Sequence, residues 1–151
     1  MLSVVEITKR FGSKNAVHAV DFSIKSGEIY SLIGPNGSGK TTIVKLIAGL
    51  LRLDGGHIKV DGHDVEKDPL RAKALIGYIP DEPVAWPGMT GEEFLHFVGA
   101  LYSNSEDKRT KKISQLLGLF HLEGIEKEYF ENYSRGNKQK FTILAALLHE
   151  P

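Results

Sequence analysis

The sequence predicts an α/β fold: an N-terminal antiparallel β layer, a strand–loop–helix unit, and a helical insertion after it. Three observations carry this. Val20, Phe22 and Ile24 alternate with polar neighbours, the period of a half-buried strand. Gly34-Pro35-Asn36-Gly37-Ser38-Gly39-Lys40-Thr41 fits the pattern G-x-x-x-x-G-K-[ST] and lies between an apolar run and a helical pattern. From Thr90 onward, apolar residues recur at helical spacing instead.

In chain order, Val4 to Phe11 reads as a strand that ends at the Gly12-Ser13 turn, and Ala16 to Lys25 as its antiparallel neighbour. Ser26-Gly27 turns into Glu28-Ile29-Tyr30-Ser31-Leu32-Ile33, an apolar strand candidate that feeds the glycine-rich loop. Thr42 to Leu50 continues as a helix, ended by Leu53-Asp54-Gly55-Gly56. His57 to Val60 is a short strand closed by the turn dipeptide Asp61-Gly62. Pro69 to Leu75 is a short helix with proline in its first turn. Ile76-Gly77-Tyr78-Ile79-Pro80 is a second core-strand candidate, followed by the polar loop Asp81-Glu82-Pro83.

Thr90-Gly91-Glu92-Glu93 is a capping box, and Phe94, Leu95, Phe97, Val98, Leu101 and Tyr102 form the buried stripe expected behind it. Ser105-Glu106-Asp107 opens another helix with acids in its first turn and Ile113, Leu116, Leu117 and Phe120 on its apolar face. Its Lys108, Arg109, Lys111 and Lys112 read as a solvated face. Gly124 to Phe130 is a weak helix or a loop. Ser134 is a good N-cap for a last, strongly apolar helix through Phe141, Leu144 and Leu148.

The loop at 34–41 carries the first chemistry. Its glycines let the backbone curl so that successive N–H groups point inward at phosphate oxygens, and the following helix N-terminus adds partial positive charge. Lys40 reaches toward β- and γ-phosphates, and the Thr41 hydroxyl suits Mg²⁺. Phe11, at a strand end upstream of the loop, is either a stacking platform for a base or an ordinary edge-strand aromatic.

Composition bounds the rest. The 151 residues are 41% hydrophobic and 25% charged, the profile of a soluble globular domain. Lys+Arg and Asp+Glu both number 19, which gives no support to nucleic-acid binding through a generally basic surface. With no cysteine, thiolate zinc sites and cysteine nucleophiles are excluded. No apolar run approaches the ~20 residues that span a bilayer, and no signal peptide is read at Met1 to Glu6. The expectation is a cytosolic protein.

The glycine-rich loop alone does not separate kinases, GTPases, RecA-like motors and transporter ATPases. Tyr133-Ser134-Arg135-Gly136-Asn137-Lys138-Gln139 does: it resembles the signature of ABC-type ATPases, with Tyr-Ser-x-Gly in place of the commoner Leu-Ser-Gly-Gly. The order of P-loop, Ile-Gly-Tyr-Ile-Pro segment, helical insertion and signature helix is similar too. The whole chain resembles the N-terminal part of an ABC nucleotide-binding domain, an ABC ATPase-like P-loop NTPase core. Ile76 to Pro87 and Tyr133 to Lys140 are most similar in style to bacterial ABC-2-like exporters, of the type resembling the Ecs transporter. The implied layout is 1–89 for β layer and P-loop core, 90–131 for the helical subdomain, and 132–151 for the signature helix returning to the core.

The resemblance implies ATP and Mg²⁺ as ligands. Phe11 then stacks on adenine, and Gly34, Pro35, Asn36, Gly37, Ser38, Gly39, Lys40, Thr41 and Thr42 bind ATP, with Asn36 to Thr42 wrapping the phosphates and Thr42 near the α-phosphate. Asp81 stands where most of the family has glutamine, between Mg²⁺, the attacking water and the membrane partner; it can ligate Mg²⁺ but is shorter and, when ionised, cannot donate. Ser134, Arg135, Gly136 and Asn137 face the γ-phosphate of a second, head-to-tail copy. Val84 to Met89, including Trp86, resembles the surface that meets a transmembrane permease; the other reading for Trp86 is a buried core residue. This places the protein at the cytoplasmic face of the cell membrane.

The family's next element is an apolar strand ending in Asp-Glu, which supports Mg²⁺ and polarises water, followed by a γ-phosphate-sensing histidine. No acid in this sequence follows an apolar strand in that place, and none of the six histidines matches the sensor. The sequence therefore reads as a fragment or truncated product, which binds ATP weakly and hydrolyses it very slowly. The competing readings are a nucleotide-binding fragment without hydrolysis and a soluble ABC ATPase not tied to a transporter.

Overall fold

A computed structural model describes residues 1–83, 85–102 and 105–151. The chain divides into two compact units, Met1–Ile76 and Gly77–Pro151.

In the first unit, β1 (Leu2–Phe11) and β2 (Lys14–Ile24) pair antiparallel, as their alternation predicts. β3 (Gly55–Val60) adds to the other edge of β1, and β4 (His63–Asp64) pairs with β3, giving the order β2-β1-β3-β4. The Asp61-Gly62 turn has positive φ at both residues, 47° and 85°, which matches the right-handed twist of the strands it joins. One face of the sheet buries Val4, Ile7, Val17 and Ile58 against Ile43 and Leu46 of α1 (Lys40–Ile47) and Ala72 of α2 (Pro69–Ala74). This apolar seam holds the loop-bearing helix on the β layer.

Neither expected strand outside this layer forms. Residues 28–33 and 76–80 carry no ladder, and Ile29 and Ile33 are 98% and 92% exposed. The apolar pattern marks a segment that can be a strand, but a strand exists only when its N–H and C=O groups meet a neighbour. Among the described residues neither segment joins a strand ladder.

The second unit is helical. α3 (Gly91–Tyr102) opens with the predicted capping box: the Thr90 N–H donates to Glu93 Oε2 at 2.8 Å, and the Glu93 N–H to Thr90 Oγ1 at 3.2 Å. The donated Thr90 N–H, and then its hydroxyl, hold the Glu93 carboxyl below the usual carboxylate range. α4 (Glu106–Phe120) starts at Ser105, whose Oγ accepts from the Lys108 N–H. α5 (Arg135–Leu147) closes the bundle and buries Phe141, Leu144 and Ala145 with Leu95 and Ile113. Leu95 and Leu144 are fully buried, each contributing about 1.5–3 kcal/mol of apolar transfer. The α3 stripe is narrower than its sequence suggests, because Phe97, Leu101 and Tyr102 are exposed. Residues 124–129 form turns rather than a helix, leading into a short 3₁₀ turn at Phe130–Asn132. They strap the start of α3, the Gly91 and Glu92 N–H groups donating to the Glu128 and Glu126 carbonyls. Ala85 and Met89 pack against this core, within the unit that starts at Gly77.

Candidate functional site

The site is built where β1, β2 and α1 meet. Between the pairs Lys9–Val17 and Arg10–Asn15 the ladder slips, and Ala16 is the extra residue accommodated in β2. Its carbonyl is aimed at Gly39, the N-cap of α1, which sits in the left-handed region at φ 89°. A Cβ on Gly39 would lie 2.4 Å from that oxygen, so both the backbone angle and the close approach demand glycine. The bulge thereby fixes the loop to the β layer.

The loop itself is curled. The Ser38 N–H donates to the Pro35 carbonyl at 3.3 Å, and Gly37 also has positive φ. Lys40 Nζ donates to the Gly34 and Pro35 carbonyls, both at 2.8 Å. Gly34 and Pro35 thus hold the ammonium at the loop rather than lining the cavity. The first turn of α1 contains no acid, so no side chain there opposes an incoming anion.

A cavity of about 340 Å³ runs along this unit, lined by Phe11, Lys14, Ala16, Asn36, Gly37, Gly39, Lys40, Thr41 and Thr42. Phe11 is half exposed at the end of β1, on the same cavity as the loop. A planar apolar platform and a cationic, N–H-rich cradle thus share one space. Lys14 and Ala16 were not legible as site residues, because they arrive through strand pairing and the bulge. Thr41 lines the cavity and is exposed, and its hydroxyl is a hard oxygen of the kind Mg²⁺ takes together with phosphate oxygens and water.

Asp81 and the signature residues lie in the second unit. Asp81 is exposed in a bend. Among the described residues, no cluster of three His, Cys, Asp or Glu side chains could hold a metal. Ser134 is the N-cap of α5, its Oγ accepting the Asn137 N–H at 3.2 Å, while Arg135 and Gly136 are exposed on the first turn. Tyr133 anchors that turn: its ring stacks on Phe141 at 4.7 Å, and its hydroxyl donates to the Ile125 carbonyl at 2.6 Å, with the Glu128 carbonyl at 3.1 Å. Burial pushes the Tyr133 phenol up to about 12. Trp86 is 58% exposed and makes a T-shaped contact with Phe97 at 4.8 Å, so it is not a core residue. Val84, the first residue of the expected permease-facing stretch, lies outside the described residues.

The ABC transporter family pattern matches residues 17–151, which includes the loop, α1 and the 133–139 segment. The chain belongs to the ABC transporter family. Over its whole length it is 37% identical to the linearmycin resistance ATP-binding protein LnrL of Bacillus subtilis (strain 168), of which it covers 49%. It is 32% identical over 151 residues to the probable multidrug ABC transporter ATP-binding protein YbhF of Escherichia coli (strain K12), covering 26% of it. The first of these shares is typical: the chain spans about half the length of several curated ABC relatives. A solved ATP-binding subunit of an ABC transporter superposes with a TM-score of 0.90 over 99% of this chain and 62% of that one, at 33% identity. A dimeric ATP-binding cassette solved in a post-hydrolysis state with ADP and Pi gives 0.87 over 100% and 71%, at 25% identity. The ABC fold thus accounts for the antiparallel layer, the P-loop helix and the helical unit together.

Proposed function

We propose that this chain is the ATP-binding part of an ABC transporter ATPase subunit that works through a separate membrane permease. The observation that carries the reading is the single cavity shared by Phe11 and the P-loop. Adenine stacks on Phe11. The N–H groups of the loop and the α1 N-terminus take the phosphates, with Thr42 toward the α-phosphate. Lys40 exchanges its two carbonyl partners for β- and γ-phosphate oxygens, a stronger charge-assisted pairing. Thr41 offers its hydroxyl to Mg²⁺, which when bound neutralises phosphate charge. Asp81 contributes to metal and water positioning, with the shorter reach of an aspartate.

In this proposal the phosphate site is completed in trans. Ser134, Arg135, Gly136 and Asn137 contact the γ-phosphate held by a second, head-to-tail copy; the dimeric cassette among the structural neighbours supports this. The layout into a 1–89 core, a 90–131 helical subdomain and a 132–151 signature helix belongs to the same proposal. The stretch ending at Met89, with Trp86 on Phe97, offers the permease an exposed aromatic anchor. The subunit sits at the cytoplasmic face of the membrane. The names of LnrL and YbhF favour export of a drug-like compound.

Binding and turnover separate in these 151 residues. The cavity shared by Phe11 and the loop supports binding, whereas no acid in this sequence follows an apolar strand in the place needed to polarise water. Calorimetric titration with MgATP tests the first part. Saturable binding that Lys40→Ala weakens at least tenfold is expected; wild-type affinity in Lys40→Ala contradicts the site. Steady-state phosphate release tests the second, and turnover abolished by Lys40→Ala but otherwise typical of the roughly 1–10³ s⁻¹ enzyme range would contradict it.

A further inference from the structure

The ring that the proposed site uses as its base platform is half exposed at a strand end. A cation lies over it: Lys9 Nζ is 5.7 Å from the Phe11 ring centroid. Lys9 and Phe11 are two residues apart on β1, so their side chains leave the same face of the strand. Lys9 is not loose. Its side chain is only 14% exposed, and its ammonium pairs with Asp54 Oδ1 at 3.1 Å. Asp54 is itself tied down, its Oδ2 accepting the Arg10 N–H at 2.6 Å and its own N–H donating to the Thr8 carbonyl at 2.9 Å. The Arg10 N–H, then the Lys9 ammonium, hold the Asp54 carboxyl below the usual carboxylate range, so Asp54 stays ionised at neutral pH. Asp54 precedes β3, and its grip on the last residues of β1 reaches across the sheet to the cavity rim.

We propose that Lys9, held by Asp54, is a positioning residue that fixes the Phe11 ring for stacking against a purine base. The inference rests on the reading of the cavity as an ATP site. A cation over an aromatic face is attracted by the ring quadrupole, and holding one face leaves the ring oriented toward the cavity, whose described lining includes Phe11 but not Lys9. A preoriented ring lowers the ordering cost of stacking. Lys9 thus acts on the base end of the nucleotide and not on its phosphates.

The test compares MgATP with magnesium tripolyphosphate, which has no base, on the purified chain. Lys9→Met, which keeps the stem and removes the charge, weakens MgATP binding about threefold to fivefold and leaves tripolyphosphate binding unchanged. Lys9→Arg restores MgATP affinity to within about twofold, since guanidinium also sits over rings. In a Phe11→Ala background, Lys9→Met has no further effect. Asp54→Asn, which frees the ammonium while keeping the side-chain size, reproduces the base-dependent loss and serves if Lys9→Met unfolds. Equal loss for both ligands, losses that add with Phe11→Ala, or unchanged MgATP affinity in Lys9→Met and Asp54→Asn overturn the inference. The cavity reading fails separately: there, the wild-type chain binds no MgATP, or Phe11→Ala and Lys40→Ala both bind it normally.

Discussion

Single positions decide whether the loop can act. Gly39 stands at φ 89° with the Ala16 carbonyl where a Cβ would be. Gly39→Ala should therefore cost about 2 kcal/mol or more in stability and displace the loop, read as a lower unfolding midpoint and lost MgATP binding. Lys40 is poised on the Gly34 and Pro35 carbonyls, so its loss should remove binding without unfolding the chain, because those carbonyls are exposed to water. The turn of the loop and the helix after it were legible in the sequence, since glycine spacing and helical periodicity are local. Lys14, Ala16, Lys9 and Asp54 were not, because a strand slip and a cross-sheet clamp bring them in, and local spacing does not encode either.

Helices and strands differed in how far the sequence revealed them. Caps are local, so Thr90 with Glu93, Ser105, and Ser134 announced three helices correctly. Strand pairing is not local, and residues 28–33 and 76–80 have strand-like sequence without a ladder. The start of α5 depends on Tyr133, whose buried hydroxyl donates to the segment that straps α3. Tyr133→Phe should cost about 0.5–1.5 kcal/mol by denaturant titration, the net worth of one hydrogen bond, since the Ile125 and Glu128 carbonyls keep the Glu128 and Gly91 N–H groups as donors. Its sign with pH follows from the raised native value. The stability tied to the neutral phenol is complete below the unfolded value near 10 and is lost as pH rises toward about 12. The variant should lack this component of the alkaline decline. Gly91→Ala tests the same junction: a Cβ there would come within 2.4 Å of the Tyr133 hydroxyl and 2.6 Å of the Phe141 ring. A loss of about 1–3 kcal/mol is expected despite alanine's better helix propensity.

In the whole molecule, Phe11 and the P-loop lie in the first unit, and Trp86 and the 133–139 segment lie in the second. Membership of the ABC transporter family was legible because the P-loop and the 133–139 segment occur in one chain in that order. Trp86 was ambiguous, because exposure is a tertiary property. If the Trp86–Phe97 pair anchors a permease, Trp86→Ala should abolish co-purification with a polytopic membrane protein and leave MgATP affinity within about twofold, since no nucleotide contact is assigned to it. The central claim is that one cavity takes the base on Phe11 and the phosphates in the loop. The most direct measurement is a crystal structure of the chain with a non-hydrolysable MgATP analogue. The account predicts the purine against the Phe11 ring, and Lys40 Nζ moved from the Gly34 and Pro35 carbonyls onto phosphate oxygens. An analogue bound elsewhere, or a base that leaves Phe11 untouched while Lys40 keeps both carbonyls, would contradict it.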